Sequence, residues 1–422
     1  MMKKSEARRV FPMTYRAKFG SYLIIPLKFE GDWKSVGRGL THQPMETMDL
    51  TENVKAMLSG VGRAAVGRCC RVEQDDLCRH LTDAAHHALQ ICCDSGCHPM
   101  ELATSYLYVF TTQVAFFCLG VTYDHMDALN TLTATGHADK TARVLLGEDA
   151  LPLEEKLQAL FARWGLRKFF DGPSPLLLDA FTHTVALLPD YFSTLDDLRR
   201  ITFRLHQMIP LESDMDDESE EDTGYVYAVK SEEQAAYRWG CCVASQKLSY
   251  AVADPKMDLA AEMHTQAMDG LPMTLLMLYQ KFTCLRFTEL IALREKARDL
   301  EKLQQMMLEF RAFGTVTPAN LSRWHNIKQI YAHLLSANDI ATAVEDVSTK
   351  ISILSAEADA REARRSERVG SIITVFGLVS ILDSVMSIAD ALRSGEPIFW
   401  HCGTLTAAVL MVLLLLAAKR RK

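Results

Sequence analysis

The residues with the clearest chemical potential lie in an apolar stretch near the C-terminal end of the sequence. Asp383 and Asp390 are seven residues apart between Val369 and Leu392, and this spacing places two side chains on one stripe of a helix. Carboxylates inside a membrane normally face a protein interior or water, where they mark ion routes. If several copies surround an axis, each aspartate becomes a ring of carboxylates, and such rings select cations.

Small and hydroxyl residues accompany the two aspartates at helical spacing. Such residues let helices approach closely, so packing against a neighbouring helix is the simpler interpretation. The alternative is that they form the narrow wall of a pore. The pore-lining candidates are Thr374, Gly377, Ser380, Ile381, Asp383, Ser384, Ser387 and Asp390.

Four arginines precede the apolar stretch. They predict that this end of the stretch lies in the cytosol, because positive charge accumulates on the cytoplasmic side of membrane helices. They serve either as plain topology anchors or as a cationic ring at the cytosolic mouth that opposes cation entry. These residues are Arg361, Arg364, Arg365 and Arg368.

Two apolar stretches, 369–392 and 398–418, are each long enough to cross a bilayer as a helix. The link 393–397 is short, and a basic tail follows the second stretch. The pattern predicts a transmembrane hairpin in the cell (inner) membrane, with both termini cytoplasmic and the lipid bilayer as a partner. The alternative is that 369–392 lies on the membrane surface beside a single tail anchor.

A long helical region precedes the hairpin. After Pro318 no proline occurs until Pro397, which predicts one helix of about 75 residues, about 110 Å long. An earlier helix is expected over about 272–313, so the region 266–368 is predicted as a stalk of long antiparallel helices. A coiled-coil seam with spacings of three and four is formed by Ile340, Val344, Val347, Ile351, Leu354 and Ala358.

The first 265 residues are predicted to form a cytosolic domain of mixed helix and strand. Runs rich in aromatic and β-branched residues predict strands at 22–29, 105–121 and 237–252. Helices are expected near 75–92, 125–134, 152–169 and 175–205. The predicted fold class is therefore an α+β domain (1–265), a helical coiled-coil stalk (266–368) and a two-helix transmembrane hairpin with a basic tail (369–422).

An acidic run between 212 and 222 is the weaker candidate for metal binding. Its oxygen ligands suit Mg²⁺ or Ca²⁺, but its spacing matches no loop motif, and a solvated loop is the favoured interpretation. The candidate ligands are Asp214, Asp216, Asp217 and Glu218.

The cysteines and the charge exclude other classes. The chain has 11 cysteines and a net charge of -7. The pairs Cys69–Cys70 and Cys92–Cys93 are adjacent residues that cannot readily turn to one zinc ion, so buried or free thiols are expected. The negative charge argues against a nucleic acid polymer as partner. No phosphate loop, nucleophile elbow or dinucleotide fingerprint occurs, so no enzyme activity is predicted.

This order of elements resembles the CorA-like magnesium transporter family. The stretch 275–282, LLMLYQKF, and the long helix after it look like the stalk of divergent bacterial members. The resemblance implies a homo-oligomer, a pentamer in that family, with a pore lined by the first span and Mg²⁺ as transported or regulatory ion. The family's Gly-Met-Asn signature is missing from 391–397, ALRSGEP, so its selectivity residues are not carried over.

Two alternatives to a housekeeping transporter stay open. One is a membrane-anchored sensor or scaffold that conducts nothing. The other is a nucleotide-gated pore acting as a defence effector, since some CorA-like proteins that lack the signature serve as effectors responding to nucleotide messengers.

Overall fold

A computed structural model describes most of the chain. The described residues are 17–47, 49–62, 64–81, 88–93, 96–125, 129, 143–146, 153–192, 194–207, 224–231, 236–293 and 297–394, together with 403, 406, 407, 409 and 410. The chain divides into two compact units. The first is Met1–Arg294 with Lys302–Ser348, and the second is Glu295–Glu301 with Thr349–Lys422.

Thirteen described strands form one sheet in the first unit. They are β1 (Lys18–Lys28), β2 (Thr41–His42), β3 (Gly67–Val72), β4 (Ala88–Cys93), β5 (Gly96–Leu102), β6 (Ser105–Phe110), β7 (Val114–Tyr123), β8 (Arg143–Leu146), β9 (Arg167–Lys168), β10 (Phe181–Leu188), β11 (Gly224–Ser231), β12 (Ala236–Val243) and β13 (Lys247–Ala253). The main path runs β11-β12-β13-β10-β1-β7-β5-β4-β8. Its pairs are antiparallel except for β10 with β13, which is parallel.

The central strands are buried on both faces because helices cover both sides of the sheet. Alternate residues of β7 point in opposite directions. Phe117 belongs to the core cluster that also contains Leu77, Leu157 and Leu198 from helices on one side, whereas Phe116 meets Phe282 on the other side, with ring centroids 5.6 Å apart. The predicted strands at 22–29, 105–121 and 237–252 are confirmed by β1, by the β6–β7 hairpin and by β12–β13.

Two of the predicted helices are wrong in part. Residues 181–188, expected to be helical within 175–205, form β10, in which every residue is buried. The sequence of this segment, FTHTVALL, has no strict alternation of polar and apolar residues to mark it as a strand, and its place between β1 and β13 decides. Likewise, the helix expected over 75–92 ends at Leu81, and 88–93 forms β4.

Ten helices are described here. They are α1 (Glu52–Met57), α2 (Gln74–Leu81), α3 (Leu153–Arg163), α4 (Leu195–Gln207), α5 (Leu259–Thr265), α6 (Leu271–Leu293), α7 (Ala297–Glu309), α8 (Pro318–Leu321), α9 (His325–Ala337) and α10 (Ile340–Ser394). The predicted helix over 152–169 is α3 followed by β9. The one expected at 125–134 lies outside the described residues, apart from 125 and 129.

The helix α6 packs against the sheet along most of its length. It is apolar on all sides, and Leu271–Gln280 are all buried, as expected for a helix enclosed by protein. Tyr279 stacks on Phe110 of β6 with centroids 4.1 Å apart. The helix is therefore part of the sheet unit and not of a separate stalk.

The prediction of one helix from Pro318 to the membrane is wrong. The helix does begin at Pro318, after the extended residue Thr317, but the chain leaves helical geometry after Leu321 and again at Asn338 and Asp339. Asp339 adopts a left-handed conformation with φ of 49°, which aspartate tolerates better than most residues. The remaining helix, α10, has 55 residues and a length of about 80 Å.

A buried cluster of charges fastens α6 to β1. Lys28 is 1% exposed, and its Nζ lies 2.6 Å from Glu289 and 2.8 Å from Asp171. Arg286, 3% exposed, lies 2.7 Å from Glu289 and donates to the side-chain oxygen of Gln113 at 3.0 Å. Glu289 is thus shared by two cations that have almost no contact with water.

Candidate functional site

The candidate site lies on α10, which continues without a break from Ile340 to Ser394. Glycine is absent before Gly370 and proline is absent throughout, so nothing in the local sequence interrupts it. The predicted seam positions are buried or half-buried in its first half, and the coiled coil itself stays a prediction. Ile340, Val347 and Ile351 are buried, and Val344, Leu354 and Ala358 are half-buried.

The second half of α10 is apolar and lies outside any protein core. Among the described residues it is the one helix long and apolar enough to cross a membrane, and its most apolar window of 18 residues has a mean hydropathy of 2.1. None of this window is buried, whereas a core helix such as α6 is enclosed by protein. The chain therefore carries one candidate membrane-spanning helix. The second predicted span, 398–418, lies mostly outside the described residues.

The apolar half of α10 has two different faces. One face is half-buried, with spacings of four and three; it consists of Gly370, Thr374, Gly377, Ile381, Ser384 and Ile388, while Ser387, also half-buried, lies on the stripe of Asp383 and Asp390. Elsewhere between 369 and 394 the described side chains are exposed. The contrast is clear for equally apolar residues, because Ile381 is half-buried while Ile372 is 55% and Leu382 68% exposed.

The pore-lining candidates are therefore divided between these faces. Asp383, Asp390 and Ser380 lie among the exposed residues, Ser387 is half-buried beside the aspartates, and the other four lie on the half-buried face. Two hydroxyls of the half-buried face bond to their own helix. Thr374 Oγ1 donates to the carbonyl of Gly370 at 2.7 Å, and Ser384 Oγ to that of Ser380 at 2.9 Å. The hydrogen of each hydroxyl is therefore already used in a hydrogen bond within the helix.

Three of the four arginines share the face of the aspartates. Continued at the same spacing, the seam that ends at Ala358 reaches Arg361, Arg365 and Arg368. Arg365 precedes Asp383 by eighteen residues. Because this is about five full turns, the two side chains project from the same side of the helix. All four arginines are exposed. Arg361 pairs with Glu357 one turn earlier, and the other three form no ion pair with a described residue.

The remaining candidates are placed elsewhere or not described. Asp214, Asp216, Asp217 and Glu218 lie outside the described residues. Cys69, Cys70 and Cys78 are buried free thiols, as expected. Burial raises the pKa of the Cys70 and Cys78 thiols, which keeps them protonated and unreactive. Within the described part of the chain, no group of three or more His, Cys, Asp or Glu residues is arranged to hold a metal ion.

Sequence reasoning missed the buried charge cluster around Glu289 and the division of α10 into two faces. The spacing of the half-buried residues was visible in the sequence. What the sequence did not reveal was which of the two polar stripes would be less exposed.

Comparison with known proteins gives no match. No protein-family model matches the chain, no curated protein matches it, and no solved structure matches it.

Proposed function

We propose that the protein is a homo-oligomeric membrane cation channel or transporter of CorA-like type, with a pore lined by the first span, residues 369–392. One observation carries the proposal: Asp383 and Asp390 lie on the exposed face of an apolar helix, away from the half-buried face. In a membrane, an exposed face must meet either lipid or another protein surface.

The energetic cost of placing a carboxylate in lipid favours an assembly in which this face of the helix is turned away from lipid. Asp383 is fourteen residues after Val369, hence about 21 Å into a hydrocarbon layer of about 30 Å. An aspartate near the centre of a span costs about 2.5 to 3.5 kcal/mol on insertion scales. Facing water around a symmetry axis removes this cost. Asp390 lies about 10 Å further along and nearer the outer interface, where the cost is smaller.

The half-buried face suits the second span. Gly377, Ser384 and their neighbours are small enough for close helix contact, and 398–418 is the apolar stretch that the short link 393–397 would return alongside. The hairpin places 393–397 outside and the basic tail 419–422 inside. Both termini are then cytoplasmic, in the cell (inner) membrane.

The negative charge on the proposed pore face supports cations as the transported ions. A ring of Asp383 carboxylates in each assembly attracts cations into a region of low dielectric constant. Mg²⁺ and a pentameric assembly are proposed by resemblance to the CorA-like family, without its Gly-Met-Asn signature. Arg361, Arg364, Arg365 and Arg368 would surround the cytosolic mouth.

Flux through liposomes tests the proposal. Full-length protein carrying Asp383→Asn keeps the size of the side chain and removes the charge, so we expect cation flux and selectivity for Mg²⁺ over Cl⁻ to fall. The matched control is Asp359→Asn, which removes an exposed aspartate from the same helix before the membrane segment. Flux and selectivity that are equal in wild type and the Asp383 variant would refute the pore.

A second candidate function is a membrane-anchored sensor or scaffold that does not conduct. It is favoured by the local hydrogen bonds of Thr374 and Ser384, because helix packing alone then explains that face. The oligomeric state in detergent separates the two candidates, since a monomer or dimer cannot form a ring of five helices.

A further inference from the structure

A groove of about 550 Å³ lies in the first unit, where α9 ends and α10 begins. Its walls come from α6, from the segment that follows α7, from the last turn of α9 and from the first turns of α10. The volume is within the range of about 300 to 1,000 Å³ found for small-molecule sites. The proposed pore makes no use of this groove.

Part of the groove is apolar. Val316 and Ile340 are 4% and 3% exposed, and they line it together with the half-buried Leu335 and Val344. A wall of this kind favours a ligand with an apolar body.

A second part of the groove is positively charged. Arg311 is exposed on its rim and uses Nη1 to donate to Ser348 Oγ at 2.9 Å, so further guanidinium N–H groups are free to donate. Ile340, Ala341 and Thr342 also line the groove. Their N–H groups belong to the first turn of α10, which has no acceptors within the helix. These donors together suit an anionic group.

The third feature is a buried amide that opens onto the groove. Gln280 is 3% exposed and lines it. Its Nε2 donates to Tyr331 Oη at 2.7 Å and to the carbonyl of Leu276 at 3.2 Å. Its carbonyl oxygen receives no hydrogen bond from any described residue. This oxygen is not among the fully enclosed polar atoms without a partner in the described residues, so it is accessible and can accept a hydrogen bond from a ligand.

We propose that this groove binds a small organic acid. Arg311 and the first turn of α10 hold its carboxylate, the apolar wall holds its body, and Gln280 accepts a hydrogen bond from a hydroxyl or amine at its other end. Asp339, whose exposed carboxylate also lies on the rim, directly precedes the first turn of α10, so Arg311 is the main anchor of the ligand's carboxylate. The site lies wholly in the first unit, so it stands whether or not α10 conducts ions.

The test uses 4-hydroxybenzoate as probe, with full-length protein in nanodiscs. Benzoate lacks the donor and phenol lacks the carboxylate. Hydrogen–deuterium exchange of the peptide covering the start of α10 is followed against probe concentration. We expect 4-hydroxybenzoate to slow the exchange, with a midpoint about tenfold lower than that of either analogue, because each removes a hydrogen bond to a charged or buried group.

Two variants at exposed positions keep the fold and change the site. Arg311→Gln is expected to raise the midpoint for 4-hydroxybenzoate about tenfold. Ala341→Phe fills the groove and is expected to abolish protection. The matched control, Arg323→Gln, removes an exposed arginine that does not line this groove and should behave as wild type. The proposal is overturned if the probe gives no protection, or if either site variant responds as wild type does.

Discussion

The shared carboxylate of Glu289 should be the main stabilising charge between α6 and the sheet. Lys28 and Arg286, 1% and 3% exposed, both pair with it, at 2.6 and 2.7 Å. Burial alone would raise the pKa of Glu289, but the hydrogen bonds from Lys28 and Arg286 outweigh burial and lower this pKa. The carboxylate is therefore held in its charged form between two buried cations.

Glu289→Gln removes that charge while keeping the shape of the side chain. Breaking a buried ion pair by removing one partner costs about 3 to 5 kcal/mol, because the other charge stays buried. Glu289 is 26% exposed and water reaches part of it, so we expect the lower end, about 3 kcal/mol. Asp171→Asn is the matched control. Asp171 also pairs with Lys28, but it is 69% exposed, and exposed pairs contribute about 0 to 1 kcal/mol.

The measurement is urea unfolding of the full-length protein in detergent, followed by tryptophan fluorescence. Trp33, Trp164 and Trp239 all lie in the first unit. We expect Glu289→Gln to lower the free energy of unfolding several times more than Asp171→Asn, and the double variant Lys28→Met with Glu289→Gln to recover part of the loss. Equal effects of the two single variants, or a further loss in the double variant, would refute the reasoning.

Three further predictions follow from other parts of the molecule. Burial lowers the pKa of His183 to about 4. Because an unfolded histidine has a pKa of about 6.5, the unfolded state binds more protons below that pH. Stability is therefore full above about pH 6.5 and falls towards pH 4 by up to about 3 kcal/mol; His183→Gln should remove this share of the pH dependence in unfolding titrations. On the half-buried face of α10, Gly377→Leu should weaken the packing of the first span against the second, measured as a lower midpoint of thermal unfolding in detergent, whereas Val379→Leu on the exposed face should leave this packing intact. Finally, Asp390→Asn should reduce cation flux less than Asp383→Asn, because Asp390 lies nearer the outer interface; an equal or larger reduction would contradict this placement.

The local sequence pattern predicted an element correctly where the residue types typical of that element matched its burial in the structure. The strands at 22–29, 105–121 and 237–252 were found from their β-branched and aromatic residues, and the seam from Ile340 to Ala358 from its spacing. Residues 181–188 were mispredicted because a strand buried on both faces has no alternation of polar and apolar residues. The break at Asn338–Asp339 was missed because neither residue is a strong helix breaker, and the left-handed conformation of Asp339 is set by tertiary structure.

Long-range contacts explain what the sequence did not reveal about the site. The partners of Lys28 lie 143 and 261 residues away, so no local pattern identifies that cluster. On α10, periodicity placed small residues and aspartates in one pore-lining set. Only the lower exposure of Ile381 and Ser384 in the structure distinguishes their face from the face that bears Asp383.

The central claim is that the face of α10 that bears Asp383 and Asp390 meets the axis of an assembly. An electron cryomicroscopy structure of the full-length protein in nanodiscs tests it most directly. The account predicts a ring of copies, five by resemblance, with Asp383 directed to the axis and Gly377 and Ile381 packed against the second span. A monomer or dimer, or an assembly in which Asp383 faces lipid while Gly377 faces the axis, would contradict it.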